Sequence, residues 1–239
     1  MDVRIIFLSL ISVLAISACQ PNTPQSSKAG TGNVQASPPE KKPQSVSELQ
    51  ALADKGDLSA QFDLGMMYLE GSGVAQDARK GVDLLTRAAN RGDAMAQFNV
   101  GMTYYQGVKG VAQNYQKAIE WFTKGVTNNN ERSAYNLGVM EYRGEGMKQD
   151  LGKALNLFWQ SAKQGYSKAA YNLGVMYAKG EGAKPDIVEA YAWFALAEKL
   201  GDEKSSTLLH QLLSEFTATQ KARAEVRVKD LDKMIVKMK

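Results

Sequence analysis

Residues 62–68 read FDLGMMY, and the phrase returns as FNVGMTY at 98–104, YNLGVME at 135–141 and YNLGVMY at 171–177. Its glycine falls at Gly65, Gly101, Gly138 and Gly174, at intervals of 36, 37 and 36 residues. A glycine loop follows each phrase: Gly71/Gly73, Gly107/Gly110, Gly144/Gly146 and Gly180/Gly182. The one longer interval comes from an extra residue in the second loop, GVKG where the others read GSG, GEG and GEG. A period of this length predicts an array of supersecondary units, each burying its apolar face only against a neighbour.

Each unit reads as two helices. The first covers about 57–70, 93–106, 131–143 and 167–179, with Leu64, Val100, Leu137 and Leu173 just before the recurring glycine. One turn further along the same face stand Tyr68, Tyr104, Glu141 and Tyr177, of which Glu141 breaks the pattern. Glycine inside a helix costs about 1 kcal/mol relative to alanine. Its fourfold use predicts that another backbone approaches too closely for a Cβ. The second helix opens at Asp77, Asn114, Asp150 and Asp186, all good N-cap residues. Gly81, Ala118, Ala154 and Ala190 follow, then the bulky pairs Leu84-Leu85, Trp121-Phe122, Leu157-Phe158 and Trp193-Phe194. Gly92, Asn129, Gly165 and Gly201 close it; these are the two residue types that best accept the left-handed position after a helix.

The pattern A-x-x-x-LG-x-x-Y-x-x-G-x-G, then D-x-x-K-A-x-x-W/L-F, then A-A-x-x-G resembles the SEL-one-like repeats, a branch of the tetratricopeptide family. It recurs four times over about 57–201, with Gly81 for alanine, Gly125-Val126 for Ala-Ala and Glu141 for tyrosine as departures. The resemblance implies an all-α fold, a right-handed α-solenoid of antiparallel helix pairs. The expected repeats are 57–92, 93–129, 130–165 and 166–201. Residues 45–56 form an N-terminal capping helix, with Ser45 and Glu48 in a capping box and Leu49, Leu52 and Ala53 marking the helix that ends at Gly56. Residues 202–239 form C-terminal capping helices. The first carries Leu208, Leu209, Leu212 and Leu213, with His210 where a fifth recurring glycine would stand. The last is capped by Thr217 or Thr219 and carries Ala224, Val228, Leu231, Ile235 and Met238.

The start of the chain has another character. Arg4 precedes an apolar run from Ile5 to Ile16, too short to span a bilayer as a helix, and Ile16-Ser17-Ala18-Cys19 ends it. This resembles a bacterial lipoprotein signal: residues 1–18 are a signal peptide and Cys19 is the lipidated residue. As the only cysteine, Cys19 rules out an intramolecular disulfide. Two or three acyl chains anchor stably where one does not. By the sorting rule of such lipoproteins, Gln20 in the next position implies delivery to the outer membrane if the cell is Gram-negative, on its periplasmic face. Residues 19–44 contain five of the six prolines and hardly any large apolar side chain, the composition of a disordered linker. Its root-mean-square reach is roughly 25–30 Å.

The chemical inventory points away from catalysis. Among 239 residues His210 is the sole histidine, and no second histidine or thiol exists to build a metal site or a Cys-His pair. No serine begins S-x-x-K, which the resemblance's penicillin-binding relatives would lead one to seek. The glycine loops lack the lysine of a phosphate loop. The formal charge of +4 lies in Lys221–Lys239, where seven Lys/Arg face three acidic residues, 7 − 3 = +4. No broad basic face is left for nucleic acid. No cofactor and no metal are expected.

In tetratricopeptide solenoids the first helices line a concave surface, and the resemblance implies a peptide groove there. Stepping 100° per residue puts Phe62, Met66 and Leu69 opposite the core side, with Phe98, Met102, Tyr105, Tyr135, Val139, Tyr142, Tyr171, Val175 and Ala178 as equivalents. Carried over, Asn99, Asn136 and Asn172 would be a polar ladder and Phe98, Tyr135 and Tyr171 its apolar wall. Met102 and Tyr142 lie beside them, and Arg143, Lys168 and Lys179 offer a cationic end for an acidic or C-terminal carboxylate. Whether these aromatics bind or pack between repeats stays open at this level. The expected function is a lipid-anchored envelope scaffold or adaptor that binds a protein or peptide without chemistry. The alternatives are a cell-wall-directed enzyme or ligand binder, for β-lactam or peptidoglycan, and a structural tether acting through the basic C-terminal helix.

Overall fold

A computed structural model describes residues 45–236, and everything described is helical apart from turns and one isolated bridge. The signal peptide, Cys19, the linker and Met238 lie outside the described residues. The described part forms two compact units, 45–113 and 114–236, the boundary falling inside the second repeat.

In the first unit, α1 (Val46–Asp54) is followed by α2 (Leu58–Glu70), α3 (Ala78–Asn90) and α4 (Ala94–Gln106). Ser45 accepts the Glu48 amide at 3.2 Å, which starts α1. Leu49 and Ala53 of α1 pack with Ala60, Leu64 and Leu84 into one cluster, with Met67 and Tyr68 at its edge, so α1 covers the open side of the first repeat. Leu52 is exposed. Gln61 is buried and donates to the carbonyl of Ala53 at 3.0 Å; Gln97 does the same to Ala89 at 2.9 Å. The extra residue of the second glycine loop is absorbed in a tight turn in which Val108 and Val111 exchange backbone hydrogen bonds of 2.9 and 2.8 Å.

The second unit holds α5 (Tyr115–Thr127), α6 (Glu131–Arg143), α7 (Leu151–Lys163), α8 (Ser167–Lys179), α9 (Ile187–Lys199), α10 (Lys204–Glu215) and α11 (Ala218–Val236). The N-caps Asp77, Asn114, Asp150 and Asp186 each accept an amide from the first helical turn, as their residue types require. Asp57, Asp93 and Asn130 do the same for first helices. Asn129, the one non-glycine with positive φ among the described residues, sits at +56° where the other repeats carry Gly92, Gly165 and Gly201.

Gly65, Gly138 and Gly174 are buried against their partner helices, but not in each case by the expected backbone approach. A Cβ on Gly138 would stand 2.9 Å from the Phe158 ring, and one on Gly174 2.6 Å from the Phe194 ring. What fills the space is the second bulky residue of each pair. Backbones do close up in the first repeat. There a Cβ on Gly65 would lie 3.1 Å from the Gly81 carbonyl oxygen, and one on Gly81 2.8 Å from that of Gly65. Gly81, a departure from the repeat's alanine, is thus the residue that permits the approach.

Further links run from one repeat to the next within a unit. Arg79 donates to the carbonyl of Gly110 at 2.9 Å, and Gln116 to that of Gly146 at 2.6 Å, so the second glycine loop position seats on the start of the preceding second helix. At the far end, Leu208, Leu209 and Leu212 of α10 are buried while His210 and Leu213 are exposed. Thr217, not Thr219, caps α11: it accepts the Gln220 amide at 3.3 Å and its own amide returns to the Gln220 side chain at 2.9 Å. This helix does not pair with α10 as a second helix would. It folds back onto α9, burying Ala224 and Leu231.

Candidate interaction face

The stripe expected on the first helices differs in burial from repeat to repeat. On α2 and α4 the apolar stripe Phe62, Met66, Leu69 and Phe98, Met102, Tyr105 is half-buried, with Asp63 exposed and Asn99 half-buried beside it. Burial and the Asp57 charge raise the Asp63 carboxyl above its usual range. In repeats three and four the same positions are interior. Tyr135 is 1% exposed and packs on Phe158 and Tyr166, at ring-centroid distances of 5.7 and 5.0 Å. Tyr171, 6% exposed, packs on Phe194 at 5.6 Å. These two are core side chains and offer no open ring face, which corrects the expectation of an apolar wall at those positions. Burial, and secondarily the charge of Asp202, pushes the Tyr171 hydroxyl up to about 12.

The asparagines turn back on their own helices. Asn99 donates to the Met95 carbonyl at 2.9 Å and Asn136 to that of Arg132 at 2.7 Å, the four-residue back-bond that short polar side chains make inside helices. Asn136 and Asn172 are 3% and 1% exposed, and the Asn172 amide nitrogen has no hydrogen-bond partner. A ladder aimed at a ligand is therefore not what repeats three and four display; Asn99 alone of the three keeps an accessible edge.

The expected cationic end is paired. Arg143 reaches Glu145 at 3.5 Å, Lys179 reaches Glu181 at 4.0 Å, and the Tyr142 hydroxyl donates to Glu181 at 2.8 Å. Burial first, then that bond to Glu181, pushes the Tyr142 hydroxyl up to about 12. The glutamates come from the GEG loops; both ion pairs stay within a repeat, and the Tyr142–Glu181 bond joins the third repeat to the fourth. Lys168 is half-buried.

Glu141, the tyrosine departure, is 8% exposed and one carboxylate oxygen has no partner. Burial raises its pKa above the usual carboxylate value, opposed by the charge of Lys153. In the first repeat the equivalent Tyr68 receives a 2.6 Å hydrogen bond from Lys80, whose ammonium lies 4.2 Å from the ring centre. In the fourth, the lysine is replaced by Glu189, which Arg227 of α11 grips through two bonds of 2.6 and 2.7 Å while Trp193 donates at 2.9 Å. Arg223 adds a contact to Asp186 at 3.8 Å and Lys199 one to Asp232 at 2.8 Å. Two of the C-terminal helix's basic residues, Arg223 and Arg227, thus hold it to the fourth repeat.

Two residue sets were not recognised from the sequence. Gln76, Gln113 and Gln149 each donate a side-chain amide to a carbonyl at the end of the preceding first helix, at 2.8, 2.9 and 2.6 Å. Their constant place one residue before the second N-cap was the available signal. Trp159 is the other: it extends Leu157-Phe158 by one bulky residue where other repeats have Thr86, Thr123 and Ala195, and it is exposed. His210 is exposed and not a packed structural histidine. No group of three or more His, Cys, Asp or Glu able to share a metal ion occurs among the described residues. Nor is any helix among them long and apolar enough to cross a membrane.

Paired helices of constant length, a buried small residue under each bulky pair and glycine-closed second helices together define a helical-repeat protein. The chain belongs to the Sel1 repeat family, whose profile matches 58–93, 94–130, 132–166 and 167–202. It is similar to a Sel1 repeat protein from Oxalobacter formigenes, at 30% identity and a TM-score of 0.63, over 70% of this chain and 48% of that one. It also matches c5321, described as a protective antigen present in uropathogenic Escherichia coli strains displaying an SLR fold, at 24% identity and a TM-score of 0.47, over 81% of this chain and 50% of that one. The chain thus spans about half the length of these two structures. Helicobacter pylori cysteine rich protein B matches at 21% identity and a TM-score of 0.47, over 58% of this chain and 99% of that one. No curated protein matches. Sel1 repeats typically mediate protein–protein interaction, and proteins built from them are generally non-catalytic scaffolds.

Proposed function

We propose that this chain is a lipid-anchored scaffold or adaptor of the cell envelope that binds a protein or peptide through its first-helix face. The observation that carries the reading is the half-buried apolar stripe on α2 and α4, where Phe98 and Met102 lie beside the half-buried Asn99. Apolar side chains flanked by an amide suit an extended or helical segment that buries side chains and keeps its backbone polar groups bonded. The apolar run ending at Cys19 supports export and lipidation, with the outer membrane as destination in a Gram-negative cell. The proline-rich segment before residue 45 supports a tether that lets the repeats work away from the lipid surface.

In-cell cross-linking of the full chain, followed by pull-down, tests both halves. Phe98→Ala combined with Met102→Ala should lose the captured partner while the melting temperature falls only slightly. Cys19→Ala should move the protein out of the membrane fraction. Capture unchanged by the double variant would sink the face; membrane retention of the cysteine variant would sink the anchor. Replacing Asn136 and Asn172 is the wrong test, because both are interior.

A further inference from the structure

A cleft within residues 114–236 is separate from the stripe on α2 and α4. The outer surface of α7 carries Trp159 and Lys163 one turn apart, and Gln160 and Gln164 in the adjoining row. Leu200, at the end of α9, and Ile235, on α11, face them across a cleft of about 590 Å³. That volume falls in the ~300–1,000 Å³ range of small-molecule sites.

The lining has a specific chemistry. Trp159 is 36% exposed, whereas Trp121 is 9% and Trp193 is 0% exposed, so one indole of three faces solvent. The Lys163 ammonium sits 5.1 Å from its ring centre. The side chain of Gln160 has no partner in the structure, and that of Gln164 reaches only the Gln160 carbonyl, at a long 3.4 Å. Exposed Asn129, in its left-handed turn, adds a third amide at the rim. Among the described residues no carboxylate and one lysine line the cleft, which disfavours a metal cation and a phosphate backbone.

We propose that this cleft binds an oligosaccharide, one pyranose ring stacking its C–H face on the Trp159 indole. Amides at the edge of an aromatic plate can donate to and accept from ring hydroxyls, which a purely apolar groove cannot do. Gln160 and Gln164 are about 6 Å apart as neighbours one turn apart on a helix, a spacing comparable to the width of a sugar ring. Leu200 and Ile235 offer an apolar wall for the methyl of an acetamido sugar, and Lys163 a cation for a sugar acid.

Titrating the full chain with the β-1,4-linked tetramer of N-acetylglucosamine, while following tryptophan fluorescence, tests this directly. The expected result is a saturable change in emission, with Trp159→Ala weakening binding by about tenfold or more and Trp159→Phe keeping part of it. Gln160→Ala with Gln164→Ala should weaken binding at unchanged melting temperature. Calorimetry reads binding in the variant that lacks the reporter. The non-acetylated glucose tetramer in parallel shows whether the acetamido group matters; binding of either sugar supports the site. No saturable signal with either tetramer overturns the proposal, as does binding that survives Trp159→Ala intact. A third result also overturns it: Trp159 emission in the free chain that shifts red on removing residues 237–239, which would mean the chain's own end fills the cleft. Partner capture by the first-helix face is unaffected by any of these outcomes.

Discussion

Gly125 and Ser133 are fitted to each other. A Cβ on Gly125 would collide with the Ser133 hydroxyl and stand 2.7 Å from its Cβ. The other repeats have Ala88, Ser161 and Ala197 at the first position and Ala60, Ala96 and Ala169 at the second. One side chain gained an oxygen and its neighbour lost a methyl, conserving volume across α5 and α6.

Gly125→Ala alone should therefore destabilise by about 1–3 kcal/mol, although alanine is the better helix former. Ser133→Ala should be neutral or slightly stabilising, because the buried hydroxyl has no partner. The double variant should recover most of the loss. Chemical denaturation of the four proteins gives the coupling directly, and additive effects would refute the fit.

Glu141 is an ionisable group in a place where the family uses a ring. With its folded value raised by burial, the stability it contributes is full below the ordinary carboxylate value of 4.5 and is lost as pH rises through the raised one. At neutral pH it is a liability. Glu141→Gln should raise the melting temperature at pH 7 by about 2–4 °C and lose that advantage near pH 4. An advantage constant across pH would assign the effect to packing instead.

Tyr142 works at the opposite end of the scale. Its hydroxyl is at 10.0 when free and about 12 in the fold, so its contribution is full below pH 10 and disappears as pH climbs through 12. Tyr142→Phe should cost about 0.5–1.5 kcal/mol at neutral pH, and the difference from the unaltered protein should shrink above pH 10. Melting curves across pH 8–11 read this out.

Arg227 joins α11 to the repeats through Glu189. Arg227→Ala should cost only about 1 kcal/mol globally, since the arginine is more than a third exposed and screened. It should nevertheless raise amide exchange across 218–236 far more than within α8. Uniform loss of protection would show that α11 is not a separately held element.

The helix pairs were readable because the refrain combines three independent signals: helical spacing of Leu64 with Tyr68, N-cap types at fixed offsets, and glycine or asparagine in the left-handed position. Each is local. The burial of Tyr135 and Tyr171 was not readable, because a 100° wheel gives a direction and not what stands there. The helix wheel placed them opposite the core of their own pair, yet each ring meets a phenylalanine, Phe158 or Phe194, of its partner helix. The same limit hid the nature of the glycine contacts. Sequence required a close neighbour at Gly174, and only coordinates could say that it was an aromatic edge rather than a carbonyl. The return of α11 onto α9 depends on Glu189 replacing a lysine and Arg227 lying 38 residues away, a pairing no periodicity encodes.

His210 sets the directions in which this architecture can change copy number. In the fourth repeat the Phe194 ring lies against the bare Cα of Gly174. An imidazole at the equivalent point of α10 denies any incoming phenylalanine that seat. A repeat copied in after Gly201 would still place α10 against the surface it meets now. A second helix docked on α10 itself would find no seat for its phenylalanine, so new units fit before α10 and not onto it.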